Sequence, residues 1–261
     1  MHTPFDINEA IGHRKDYVEA GLRSGSPVVG ICCEEGLLLV TVRRTQRKVY
    51  EIYDRQMFSA IGRQSDIENV RLSAIQTAHQ EGFERSPDDV SLHRLVGFAL
   101  SPALKKAFGD QMYVPVVIRG LFAELGRTVA GDCFFTLNYD GEYRQHTGIA
   151  AIGGTQSAED RMLQVLGEPD STLSRDEAIR RALRAWVAGA RDQISAPNED
   201  ERDQDTPLKV VDEADADRVF LQEELKSGVL EVGFLQRRDK QDARFHLLAG
   251  DVLGSVISDL Y

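Results

Sequence analysis

Residues 26–54 read SPVVGICCEEGLLLVTVRRTQRKVYEIYD, and their pattern decides the fold. Two apolar runs, 27–33 and 36–42, flank the polar, turn-forming Glu34-Glu35-Gly36. Two short β-rich runs joined by a Gly-containing turn predict a hairpin. Both runs are nearly unbroken in Val, Leu, Ile and Cys, so these strands are expected to be buried on both faces. A basic segment follows (Arg43, Arg44, Arg47, Lys48), then a second strand pair, 49–53 and 57–62, around Asp54-Arg55-Gln56. Lys48 stands where the basic segment enters that pair. The helix-rich flanks then read as layers on this sheet core.

Working outward, residues 1–6 carry no periodicity and read as a loose tail. Over 7–23, apolar residues recur at Ala10, Ile11, Tyr17, Val18, Gly21 and Leu22, an amphipathic helix closed by Ser24-Gly25. Its stripe needs burial against this chain or a neighbour. Downstream, Ser65 and Glu68 have capping-box spacing ahead of a helix carrying Ile67, Val70, Ala74 and Ala78. A second helix opens at Ser86-Pro87-Asp88-Asp89 and includes Val90, with Pro102 as a kink point. Strands are expected over 113–125, broken near Gly120, then 133–139 and 143–146 around the Asp140-Gly141 turn. The second half repeats the order. A short strand at 150–154 runs into a helix at about 157–166, and a capping box at Ser174–Glu177 opens a helix carrying Trp186. Residues 197–217 are acidic and proline-bearing and read as an exposed, flexible excursion. A short helix at 218–226, strands at 229–235 and 244–248, and a final helix follow.

Helical pairs alternating with antiparallel strand runs point to an α+β, four-layer αββα sandwich, helices outside and two sheets inside. Residues 1–25 form an N-terminal tail and helix, and 26–261 one domain.

The chain has 261 residues and a formal net charge of −11. That balance argues against a nucleic-acid or anionic-membrane surface, which needs a basic field. No apolar run reaches the roughly 18 residues of a membrane span, and the N-terminus lacks an apolar signal core, so a cytoplasmic protein is expected. Cys32, Cys33 and Cys133 are odd in number, lie in apolar strands and match no zinc spacing. They read as buried thiols of a reducing compartment. No metal or cofactor is expected.

Several stretches carry a resemblance. SPVVGICCEEGLLLVTVRR, RKVYEIYDRQMFSAIGR and DIENVRLSAIQTAHQEGF resemble the proteasome core-particle family, of the α type rather than the β type. NYDGEYRQHTGIAAIGGT resembles the family's strand–turn–strand into its third helix, and LEVGFLQRRDKQDARFHLLAG its closing strands. The leading HTPFDINEAIGHRKDYVEAGLRSGSPVVG is similar to the N-terminal extension of bacterial α subunits. The acidic 197–217 stretch is longer than the family leads one to expect. The resemblance implies a sandwich of the N-terminal-nucleophile hydrolase type. It further implies a seven-membered α ring stacked on β-type subunits, capped by a ring ATPase or other activator, for intracellular protein degradation.

In the family's catalytic β subunits an N-terminal Thr, freed behind a Gly, attacks the substrate, its own amine acts as base, and a Lys and acidic groups tune both. Here Ser26 follows Gly25 at the matching position. The alternative is therefore a self-compartmentalising peptidase using Ser26 after processing at Gly25-Ser26. Lys48 matches the catalytic Lys, and Arg191-Asp192 with Ser195 resembles the catalytic side's acid and Ser. Three departures weigh against that alternative. Val42 replaces the carboxylate that would orient the Lys, Pro27 follows the would-be nucleophile, and Gly153-Gly154-Thr155 replaces the Ser-Gly-Ser support. Ser26 then reads as a strand-start cap, and the chain as a non-catalytic subunit.

The α-type resemblance gives Lys48 another implied role. In the family, a Lys at the start of this strand binds an activator's C-terminal carboxylate between α subunits, and a Gly fourteen residues on lines the same pocket. Gly62 has that spacing. A lone Lys at a strand start is more commonly just solvated, and only the match at both positions favours the pocket. The same resemblance implies a gate from the tail, with Pro4 and Phe5 as its stiff and apolar elements. Tyr17, Val18 and Leu22 are expected to contact a neighbouring subunit.

Overall fold

In the computed structural model, residues 4–110, 112–195, 213–237, 243–248 and 250–258 are described. The opening hairpin forms as the sequence predicts. Strand β1 (Val28–Cys33) pairs antiparallel with β2 (Gly36–Arg43), Cys33 opposite Gly36. Gly36 sits at φ +151°, and a Cβ there would lie 2.0 Å from the Leu235 carbonyl oxygen, so only glycine fits. Then come β3 (Val49–Tyr53) and β4 (Gln56–Gly62). Helix α2 (Gln64–Glu84) leads to a 3₁₀ turn (Pro87–Asp89) and the short α3 (Leu92–Arg94). Next are α4 (Ser101–Gly109), β5 (Ile118–Glu124), β6 (Cys133–Asn138), β7 (Tyr143–His146) and β8 (Ile149–Ile152). Helices α5 (Gln156–Leu166), α6 (Arg175–Ser195) and α7 (Glu213–Ser227) precede β9 (Val229–Gln236), β10 (Phe245–Leu247) and α8 (Gly250–Ser258).

The strands form two sheets, ordered β10-β9-β2-β1-β8 and β3-β4-β5-β6-β7. Alternation in β1 and β2 explains their unbroken apolar runs. Val29, Ile31, Leu38 and Val40 pack outward with Leu183 and Trp186 of α6. Val28, Cys32, Leu37 and Leu39 pack inward with Met57, Leu121 and Phe134 of the second sheet. On that sheet's far side Phe58, Phe122 and Phe135 pack with Val70 and Ala74 of α2 and with Leu95 and Leu100. Three apolar layers between four layers of secondary structure give the αββα sandwich.

Helix α1 (Pro4–Leu22) closes one end of it. Val18 and Leu22 are fully buried in the core between the sheets, each worth about 1.5–3 kcal/mol of burial. The Arg14 guanidinium donates to the Ala107, Phe108 and Tyr113 carbonyls, tying α1 to the C-terminal end of α4.

Several local expectations need correction. The Ser65–Glu68 capping box does not form, because α2 already starts at Gln64, with Arg63 as an N-cap whose side chain makes no cap bond. The predicted start at Ser86 is only the 3₁₀ turn. Val90 is extended, and Ser91 caps α3 by accepting from the Arg94 N–H. Pro102 is absorbed by a π-helical stretch, Leu95–Leu100, immediately before α4. Gly120 does not interrupt β5; its missing side chain makes room for the packed rings of Phe58 and Phe122. The amphipathic helix begins at Pro4, earlier than expected. The expected flexible stretch 197–217 is cut short by α7, whose Asp217 pairs with Arg191; residues 197–212 lie outside the described residues. The capping box at Ser174 does form, its hydroxyl accepting from the Glu177 N–H while the Glu177 carboxylate accepts from the Ser174 N–H.

Candidate functional site

The end of the sandwich beside α1 carries the sequence-predicted polar residues. Ser26 precedes β1, and its hydroxyl donates to the Val42 carbonyl at 2.6 Å. The indole N–H of Trp186, on α6, donates to the Pro27 carbonyl at 3.0 Å and to the Ser26 hydroxyl at 3.3 Å. The Val42 side chain is packed in the core under α6, and no carboxylate stands in its place. The Gly25 carbonyl accepts from the Gln193 side chain at 3.0 Å, so the chain on both sides of Ser26 is moored.

Lys48 lies at the mouth of β3. Its ammonium donates to the Ser26 backbone carbonyl at 2.6 Å rather than to the Ser26 hydroxyl. Burial pulls the Lys48 ammonium down from its ordinary 10.5 to about 7, and the Glu231 carboxylate opposes that fall. Glu231, on β9, reaches across from the other sheet. One oxygen accepts from the Lys48 N–H at 3.0 Å and the Val49 N–H at 2.7 Å, and the other pairs with Arg43 at 2.9 Å. The sequence reading missed Glu231. Its signal was a lone carboxylate inside VLEVGFLQ, a strand whose other residues are almost all apolar and which therefore demands a partner for it.

Lys48 and Gly62 come together on the wall of one pocket of about 330 Å³. Arg44 and Arg47 line its rim, and no carboxylate lines it among the described residues. The glycine requirement at Gly62 has a local cause: at φ +134°, a Cβ would lie 2.1 Å from the carbonyl of Val117, the residue just before β5. A neighbouring pocket of about 510 Å³ shares Gly25, Ser26, Val42 and Arg44 with the first and runs under Trp186 and Phe220.

The other predicted positions separate. Pro4 opens α1, and the side chains of Pro4 and Phe5 are outside the described residues. Tyr17 is exposed, its hydroxyl accepting from Arg63 at 2.6 Å. Val18 and Leu22, expected to meet a neighbour, are instead consumed by the chain's own core. The pair joins Val28, Ile61, Val117 and Ile152 in the core between the sheets.

No family model matches the chain. Individual proteins do. A proteasome subunit alpha of Jonesia denitrificans is 32% identical over 188 residues, covering 70% of this chain and 79% of that protein. The chain belongs to the proteasome α-subunit family. The proteasome subunit alpha of Frankia casuarinae is 29% identical over 194 residues, covering 72% of this chain and 79% of the relative. That of a Nocardioides species is 29% identical over 187 residues, with 70% and 72% covered. The two sheets, their helical layers and α1 are thus the N-terminal-nucleophile-type sandwich of a bacterial-like proteasome α subunit. Burial pushes Cys33 up to about 11 and Cys133 to about 12, so neither thiol of this α subunit is set up as a nucleophile. No helix among the described residues is long and apolar enough to cross a membrane.

Proposed function

We propose that this chain is a non-catalytic, ring-forming α subunit that gates a proteolytic chamber and docks an activator in the Lys48 pocket. The observation that carries the docking reading is electrostatic. In a chain of net charge −11, one pocket is lined by Lys48, Arg44 and Arg47 and by no described carboxylate. Such a pocket suits an anion on a chain end, and a C-terminal carboxylate of a ring ATPase or other activator supplies one. Lys48 is the anchor, and Gly62 shapes the wall. The partners are other α subunits in a seven-membered ring, β-type subunits beneath it and the activator above, in the cytoplasm. The segment holding Pro4 and Phe5 forms the gate. Tyr17, left exposed on α1 together with Ile11, would meet a neighbour.

The non-catalytic reading rests on Ser26. Its hydroxyl is spent on the Val42 carbonyl, Lys48 bonds its carbonyl instead, and removing residues 1–25 would strip Val18 and Leu22 from the core. The test is co-expression with a neighbouring β-type chain, followed by electron microscopy, intact-mass measurement and peptide hydrolysis. The expected result is a stacked particle whose α chain keeps its first 25 residues and whose hydrolysis survives Ser26→Ala. Loss of those residues, with hydrolysis abolished by Ser26→Ala, would establish the self-processing peptidase instead. Deleting residues 1–6 should raise peptide hydrolysis by the assembled particle; equal rates would remove the gate.

A further inference from the structure

We propose that Glu231 is a positioning residue of the Lys48 pocket, holding the start of β3 in place and setting a carboxylate against the Lys48 main chain that balances the cation presented to an anion. The inference rests on the docking reading of Lys48. Its basis is geometry that crosses the gap between the sheets. Glu231 lies on β9, opposite Thr41 of β2, in the first sheet. Lys48 immediately precedes β3, an edge strand of the second sheet that Val49 opens. The two N–H groups that meet Glu231 are those of Lys48 and Val49, so its carboxylate sets where the Lys48 main chain sits.

The surrounding charges make the carboxylate matter. Arg43 pairs with Glu231, and Arg44 and Arg47 border the pocket. Arg44 is drawn to Glu224 of α7 at 2.9 Å. The segment before β1, β4 and α2 bring only uncharged groups to the wall, among them Gly25, Ile61, Gly62, Gln64 and Ile67. Glu231 is thus the anion that offsets the burial of the Lys48 ammonium, which burial alone drives toward the neutral amine. A neutral amine would offer an incoming carboxylate no charge.

The test uses the purified full chain and two readouts. The first is the pH dependence of Lys48 acetylation by acetic anhydride, followed by mass spectrometry, which needs no docking partner. The second is capture of short randomised peptides with free C-terminal carboxylates, against the same pool amidated. Glu231→Gln, which keeps an acceptor oxygen but removes the charge, should move the acetylation midpoint to lower pH. It should also weaken carboxylate-dependent capture several-fold at pH 7.5, with recovery as the pH is lowered. Glu231→Asp, which keeps the charge on a shorter stem, should stay nearer the wild-type midpoint. A purely structural tie would reverse that order, because Gln matches the shape of Glu and Asp does not. An unchanged midpoint in Glu231→Gln overturns the proposal. If that variant does not fold, Arg43→Gln removes the competing cation and should raise the midpoint; no rise overturns it equally. Equal capture by wild type and Lys48→Ala would instead refute the docking reading, while the acetylation midpoints still decide the role of Glu231.

Discussion

Ser26 and Lys48 share one pocket wall and one hydrogen bond, yet the fold treats them in opposite ways. The Ser26 hydroxyl is used up internally, donating to the Val42 carbonyl and accepting from Trp186. The Lys48 ammonium has three donors and, among the described residues, spends one, on the Ser26 carbonyl. A hydroxyl with both its roles filled holds a strand end. An ammonium with donors left over, brought to a cation-lined pocket against the pull of burial, is placed there at some cost to stability, which points to a ligand.

The contrast depends on Glu231 keeping the start of β3 in place, so its removal is the most severe test. Glu231→Ala would leave Arg43 without its carboxylate, and the buried Val49 N–H and half-buried Lys48 N–H without their acceptor, a loss of about 1–3 kcal/mol. Urea unfolding should show it as a lower midpoint. A loss under about 1 kcal/mol would mean that something else holds Lys48. On the other side, Ser26→Ala removes two half-buried hydrogen bonds, to the Val42 carbonyl and from Trp186, each worth about 0.5–1.5 kcal/mol, and should leave peptide hydrolysis by assembled particles unchanged. A fall in hydrolysis beyond what stability explains would return Ser26 to the chemistry.

A further effect concerns pH. The folded state holds Lys48 at about 7 against the ordinary 10.5, so between these values the unfolded chain binds more protons at this group. Its contribution to stability therefore rises with pH across that window and is least favourable below it. Lys48→Met removes this slope. Urea midpoints measured at pH 7 and pH 9 should rise more for the wild type than for Lys48→Met. Parallel changes would mean that the ammonium is better solvated than its surroundings suggest.

Much of the fold was legible because its strongest signals are local. The doubly buried hairpin, the Ser174 cap and the alternation of strand and helix pairs follow from spacing and turn chemistry alone. The failures arose where distant backbone decided the outcome. Ser65 lost its cap because pairing of β4 with β5 carries the chain into α2 two residues early, with the Arg63 N–H bonded to the Val117 carbonyl. Val18 and Leu22 were expected against a neighbouring subunit because nothing in 7–23 decides between this chain's core and a neighbour as the cover for the stripe. At the site, Lys48 and Gly62 could be paired through a resemblance, which cannot reveal that Gly62 answers to β5. Glu231 was hidden by distance: it lies 183 residues from Lys48 and meets it only when the sheets stack.

The central claim is that Lys48 acts on a partner while Ser26 acts only on the fold. Activator-dependent degradation of a folded substrate by reconstituted particles, with Lys48→Ala and Ser26→Ala side by side, tests it most directly. Losing a charge-assisted bond of about 1.5–3 kcal/mol at each subunit, multiplied by avidity around a ring, should abolish stimulation in Lys48→Ala particles while leaving them assembled. Ser26→Ala particles should be stimulated like the wild type. Full stimulation with Lys48→Ala, or its loss with Ser26→Ala, would contradict the account.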